Sequence, residues 1–213
     1  MESGKPRVLI VEDSPSLARR EYRHALDFAN DHDIPLHIIE TQEMQNPFYA
    51  ANQGDRCYHC KKALFERIEE LRMQPGSPFS NSSWPVFYGV NLDDLGDYRP
   101  GMQAADEADI QAPYLELKMD KTAIRTVCNF FGLEVSDKPA MPCMASRIAY
   151  GQEVSVEKLK QVEAAEDFLA DLGFKVLRVR HHGDTARIEI TPEDFDLAMQ
   201  HRETISHKLH ELG

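Results

Sequence analysis

Strand-like runs alternate with helical patterns along the first 150 residues, and this alternation restricts the chain to an α/β fold with a mainly parallel sheet. Short apolar runs at residues 8–12, 35–40 and 86–91 read as strands. Between them, apolar residues recurring every three or four positions predict helices over 16–32, 58–73 and 120–131. The first of these carries Tyr22, Ala25, Leu26 and Ala29 on one stripe behind a Ser/Pro start. Residues 73–85, MQPGSPFSNSSWP, concentrate the turn formers and read as a surface loop.

A boundary is expected near Gly151, after the Pro-, Met- and Cys-bearing stretch SDKPAMPCMASRIAYG. Beyond it, Val156, Leu159, Val162, Ala165, Leu169 and Leu172 stripe a helix, and KVLRVRHHGDTARIEIT reads as two strands joined by a Gly-Asp turn. Thr191, Pro192 and Glu193 predict the capped start of a last helix carrying Phe195, Ala198, Met199, Ile205 and Leu209. The expected organisation is an α/β domain over 1–150 and a small α+β domain over 151–213. In the predicted hairpin, strand parity turns Leu177, Val179, Ile188 and Ile190 to one face and Arg178, Arg180, Arg187 and Glu189 to the other. Three guanidinium forks on one pleat face suit a phosphate or carboxylate, and equally suit a solvated face of cross-strand pairs.

The opening VLIVEDSPSLARREY has the look of a phospho-receiver's first strand and acidic turn, but the pattern that would complete it is missing. The strand over 35–40 ends in Glu-Thr and runs into a cysteine pair, with no acceptor aspartate. The opening is therefore an ordinary strand and helix. A formal charge of −12 and no long Lys/Arg run exclude a general nucleic-acid binder. No apolar stretch approaches the roughly 20 residues that span a bilayer, and MESGKPR lacks a signal-peptide core, so no membrane partner and a cytoplasmic location are expected. With 213 residues, 42% of them hydrophobic, the chain can bury one sizeable core or one domain and a small second one.

Four cysteines, two of them in DRCYHCKK, suit a reducing compartment and thiols used as ligands or in redox chemistry. Cys57 and Cys60 stand at the start of a predicted helix, where the dipole favours thiolate and metal ligation. Cys143 is the natural third ligand. His59 is the nearest fourth donor for zinc, whereas three cysteines alone suit a [4Fe–4S] cluster with one open iron, and free thiols remain the alternative. Cys128 shares a helical face with Ile124, Val127 and Phe131 and reads as a core residue.

The segments NPFYAANQGDRCYHCKKALF, GVNLDDLGDYRPG, DKPAMPCMASRIAYG and VEAAEDFLADLGFKVLRVRHHGDTARIE, in this order, resemble the signature segments of the LarE-type sulfur transferases of the PP-loop ATP pyrophosphatase superfamily. The resemblance runs from about Val8 almost to the C-terminus. It implies an incomplete PP-loop domain (adenine nucleotide alpha hydrolase-like, Rossmann-like) with a parallel sheet, followed by the small α+β domain. It also implies Mg-ATP-dependent adenylation of the carboxylate of a nicotinate-derived pyridinium mononucleotide. Sulfur transfer to the activated carboxyl follows, on the way to a nickel-pincer cofactor. The sulfur comes either from a sacrificed cysteine or from a [4Fe–4S] cluster carrying an extra sulfide. Cys57, Cys60 and Cys143 match the cluster variant, and Cys143 also stands where the sacrificed cysteine does.

By the same resemblance Arg178 and Arg180 bind the substrate phosphate, Ser146, Glu166 and Glu189 line that pocket or help hold a metal, and Asn91, Asp94, Asp97 and Arg99 form the nucleotide-side loop. A homo-oligomer is implied. The family's SGGxDS loop has no counterpart here: the sequence holds no Gly-Gly pair, ESGKP at residues 2–5 is no substitute, and the chain reads as beginning at the family's second strand. Adenylation is accordingly expected to be absent or very weak in this chain alone, with the loop supplied by a separate chain, lost, or omitted by the choice of start site. The alternative is a remnant or binding subunit without ATP pyrophosphatase activity, and a structural zinc module is a third reading.

Overall fold

In the computed structural model, which describes residues 8–213, the elements run in the order β1 (Leu9–Asp13), α1 (Arg19–Asp31), β2 (Leu36–Glu40), α2 (Pro47–Ala50), α3 (Arg56–Met73), α4 (Pro100–Glu107), α5 (Pro113–Glu116), α6 (Lys121–Phe130), α7 (Val156–Asp171), β3 (Leu177–His181), β4 (Ala186–Ile190), α8 (Phe195–Gln200) and α9 (Arg202–Leu212). This is a mixed α/β chain with a small parallel sheet. Residues 2–5 lie outside the described residues. The chain divides into two units, one of the residues through Asn52 together with Pro142–Gly213, the other of Gln53–Met141.

In the first unit β1 and β2 pair in parallel, Leu9 opposite Leu36 through Asp13 opposite Glu40, with α1 as the crossover. Helix α1 starts three residues later than its expected Ser16, with Ala18 at the N-cap and no side-chain cap. Ser16 is occupied elsewhere: it is buried, and its hydroxyl is bonded to that of the buried Tyr49. The unit runs across the boundary expected at Gly151. The Asn52 amide donates to the carbonyls of Ile148 (3.3 Å) and Ala149 (3.0 Å), the Val154 N–H donates to the Ala50 carbonyl (2.8 Å), and Ile148 bridges His181 of β3.

The hairpin register matches the parity argument, with Leu177 opposite Ile190 and Val179 opposite Ile188. Its apolar face joins Ala165 and Leu169 of α7, Phe174 and Ile205 in one core. Gly183, at φ +69°, supplies the left-handed residue of the turn closed by the His182 N–H to Thr185 carbonyl bond. The expected last helix is broken at His201 into α8 and α9, which leaves Phe195 and Met199 exposed. Thr191 makes no capping bond, because a 3-10 turn over Pro192–Asp194 precedes the helix. Ser155 does cap α7, its Oγ accepting from the Lys158 N–H. Ser155→Ala is expected to cost about 1 kcal/mol in urea unfolding, the usual loss for an N-cap hydroxyl.

The second unit is built on α3, which buries Phe65, Ile68 and Leu71, and on α4, which buries Ala104 and Ala105. A Cβ on Gly101 would meet the Lys61 side chain at 3.2 Å and the Cys57 carbonyl at 3.4 Å, so glycine lets the start of α4 approach the start of α3. The strand expected at 86–91 does not form. Phe87 makes only an isolated parallel bridge to Gln111, and Asn91 already begins the next capped turn. The Cys128 expectation also fails. Helix α6 has no buried residue, Cys128 is half-buried, and Val127, Phe130 and Phe131 are 42%, 82% and 67% exposed. The reason is that α6 packs mainly on the short turn Glu134–Asp137, which is too small to cover the stripe.

Candidate functional site

Cys143 is an exposed free thiol at the start of the 3-10 turn Met144–Arg147 in the first unit. The chain beside it is fixed. Met144 and Ala145 are buried, and the Met144 N–H donates to the Ser16 carbonyl at 2.8 Å, tying the turn to the loop after β1. Arg147 is completely buried and forms a fork on Glu166 of α7, Nε to Oε1 at 3.0 Å and Nη2 to Oε2 at 3.3 Å. Its Nη1 donates to the carbonyls of Pro142 and Cys143, the latter at 3.2 Å, and lies 3.4 Å from Ser146 Oγ. Glu166 Oε1 also accepts the Val179 N–H at 2.9 Å. One carboxylate therefore joins the cysteine turn, α7 and β3.

The polar face of the hairpin meets the same turn. Arg180 donates from Nε to Glu189 at 2.8 Å and from Nη1 to the Ser146 carbonyl at 3.0 Å, while Arg187 shares the Glu189 oxygen at 2.8 Å. The Arg178 guanidinium has no hydrogen bond or ion pair to any described residue. Cys143, Ser146, Arg178, Arg180, Glu166 and Glu189 thus belong to one unit. Glu166 has both oxygens engaged by Arg147, whereas Arg180 and Arg187 both take Oε1 of Glu189.

The hydrogen bond from Arg180, reinforced by Arg187, holds the Glu189 carboxyl below its ordinary 4.5. A depressed folded-state value means that ionised Glu189 stabilises the hairpin above pH 4.5, and that this contribution is lost as pH falls through the folded value. The side chain is 36% exposed, so the effect is below about 1 kcal/mol. Glu189→Gln is expected to flatten this part of the stability profile when urea midpoints are compared at about pH 6 and about pH 3.5.

In the second unit Cys57 and Cys60 lie in the first turns of α3, Cys57 exposed and Cys60 half-buried, both free of disulfides. His59 Nε2 is 3.3 Å from Asp55, and the ring packs edge-on against Tyr58. Asn91 and Asp94 form a reciprocal capping box around the turn Leu92–Gly96, and Arg99 pairs with Asp94 at 2.8 Å and Asp97 at 3.5 Å. The loop expected on the nucleotide side is thus internally bonded, with Asp97 and Arg99 its more open members. Among the described residues no group of three or more His, Cys, Asp or Glu is gathered to hold a metal ion. No helix among them is long and apolar enough to cross a membrane.

Arg147 and Asn52 were not singled out by the sequence reading. A signal exists for Arg147: it stands between Ala145 and Ile148 in an apolar run, and Glu166 interrupts the buried face formed by Val162, Ala165 and Leu169. A charge of each sign among apolar residues is the mark of a buried pair. Asn52 lies in ANQGD, which reads only as a turn.

No family model matches the chain. Known proteins do. The uncharacterized protein slr1717 of Synechocystis sp. is 41% identical over 197 residues, covering 92% of this chain and 71% of its own. The pyridinium-3,5-bisthiocarboxylic acid mononucleotide synthase of Lactiplantibacillus plantarum is 28% identical over 204 residues, covering 96% of this chain and 72% of its own. The chain is thus a relative, at 28% identity, of a LarE-type protein. The uncharacterized protein MJ0830 of Methanocaldococcus jannaschii is a further relative, at 28% identity over 94% of this chain and 74% of its own.

Proposed function

We propose that this chain is a LarE-type protein that forms a carbon–sulfur bond at an activated carboxyl of a nicotinate-derived mononucleotide, as a sulfur transferase of nickel-pincer cofactor assembly. The observation that carries the reading is an exposed free thiol, Cys143, on a turn bonded through Ser146 to Arg180 of a cationic hairpin face. The similarity to a synthase named for a bisthiocarboxylic acid mononucleotide supports it. Arg178 and Arg180 take the mononucleotide phosphate, with Ser146 beside them, because a guanidinium fork matches phosphate oxygens. In the transfer, a sulfur lone pair attacks the acyl carbon, the new C–S bond forms, and the C–O bond to the adenylate breaks with its electron pair leaving on the departing phosphate.

If Cys143 gives up its own sulfur, the acyl thioester on Sγ then loses its Cβ–Sγ bond, a base takes the Cα proton, and dehydroalanine remains. In the other variant Cys57, Cys60 and Cys143 would hold a [4Fe–4S] cluster, and the sulfur would come as sulfide bound to it. Three thiols outside any disulfide suit that group chemically. The SGGxDS loop that would hold Mg-ATP does not occur among these 213 residues, and the acyl adenylate enters the transfer step as its substrate. The second reading is a binding subunit that holds the mononucleotide on the arginine face of the hairpin without turnover. As in the family, the working form is a homo-oligomer.

The test is anaerobic incubation of the protein with iron, sulfide and preformed nicotinate mononucleotide adenylate, followed by mass spectrometry of the product and of Cys143. A thiocarboxylate, with mononucleotide binding weakened by Arg178→Ala, is expected. Binding without thiocarboxylate in either the reconstituted or the metal-free protein would establish the subunit reading instead.

A further inference from the structure

We propose that Arg147 is the positioning residue for Cys143, an inference that rests on Cys143 being the transfer site. Arg147 is fully enclosed, and its donors are committed to Glu166, to the Pro142 and Cys143 carbonyls and to Ser146. It has no face to offer a substrate and acts only through the chain it holds. What it holds is the peptide on both sides of the cysteine: Nη1 gathers two successive carbonyls, which fixes the direction in which the Cys143 side chain leaves the backbone.

The other end of the guanidinium sets the frame. Glu166 takes Nε and Nη2 and receives the N–H of Val179, between Arg178 and Arg180 on β3. A single side chain therefore registers the thiol-bearing backbone against the strand that carries the phosphate-binding arginines. Lysine cannot replace it, since a point ammonium lacks the planar fork that spans a carboxylate and two carbonyls together. A reacting atom displaced by about 1 Å can cost about 100-fold in rate.

The test separates positioning from mere structural support. Replacing both Arg147 and Glu166 with methionine removes the buried charges together and is expected to keep the melting temperature near that of the wild type, as apolar replacements of buried pairs often do. Arg147→Lys keeps the charge and carries the test if the double variant fails to fold. In both, amide exchange across 143–147 is expected to rise about tenfold, and kcat for transfer from the preformed adenylate to fall 10- to 100-fold, with KM changed less than about twofold. Wild-type exchange in these variants, or faster exchange with unchanged kcat, overturns the inference. A wild-type protein that transfers no sulfur defeats the functional reading instead, and the exchange rates still decide whether Arg147 fixes the turn.

Discussion

Cys143→Ala is expected to abolish sulfur transfer while changing the unfolding free energy by less than about 0.5 kcal/mol. The two halves of this expectation have different causes. The thiol is exposed and free, so removing it leaves no cavity and no orphaned partner. The turn is held by its backbone and neighbours, through the Met144 N–H to Ser16 and the carbonyls of Pro142 and Cys143 to Arg147, none of which needs the sulfur. Chemistry, by contrast, has no second thiol in this unit, since Cys57, Cys60 and Cys128 all belong to Gln53–Met141. Cys128→Ala is the internal control and is expected to leave transfer unchanged. Transfer assays and urea midpoints on the two variants decide the matter: a Cys143→Ala protein with wild-type transfer would remove Cys143 from the site.

The same residues explain what the sequence could and could not disclose. The β1–α1–β2 order, the α7 stripe and the hairpin register follow from periodicity alone, because each is a local pattern with one buried face. The arginine and glutamate face of the hairpin was legible for that reason. Residues 86–91 look apolar enough for a strand, but a strand is completed by its neighbours, and here only the bridge to Gln111 is made. Helix α6 shows the same limit from the other side: its stripe is strong, yet amphipathicity says that a face is apolar, not what covers it. The division into units was hidden too, because it depends on Asn52 and Ala50 bonding to residues about a hundred positions away. The cysteine turn lay in plain view. Its anchor did not, because Arg147 and Glu166 gain their meaning only as a pair.

That pair leads to the largest expected loss of stability. Arg147→Leu alone is expected to destabilise the first unit by about 3–5 kcal/mol, the usual cost of stranding one member of a buried ion pair. Glu166 has a side chain only 11% exposed, so without the guanidinium it keeps a charge with little water and one remaining N–H donor, that of Val179. The Pro142 and Cys143 carbonyls lose their Nη1 donor at the same time. For a chain of this size the melting temperature should fall by roughly 6–20 °C. Arg187→Ala provides the contrast: its ion pair with Glu189 is shorter, 2.8 Å against 3.0 Å for Arg147 and Glu166, but the arginine side chain is 57% exposed, and the loss should stay below about 1 kcal/mol. Scanning calorimetry on the two variants compares them directly. A similar shift for both would mean that burial does not govern the Arg147 pair, and that solvent or a rearranged turn replaces the missing fork.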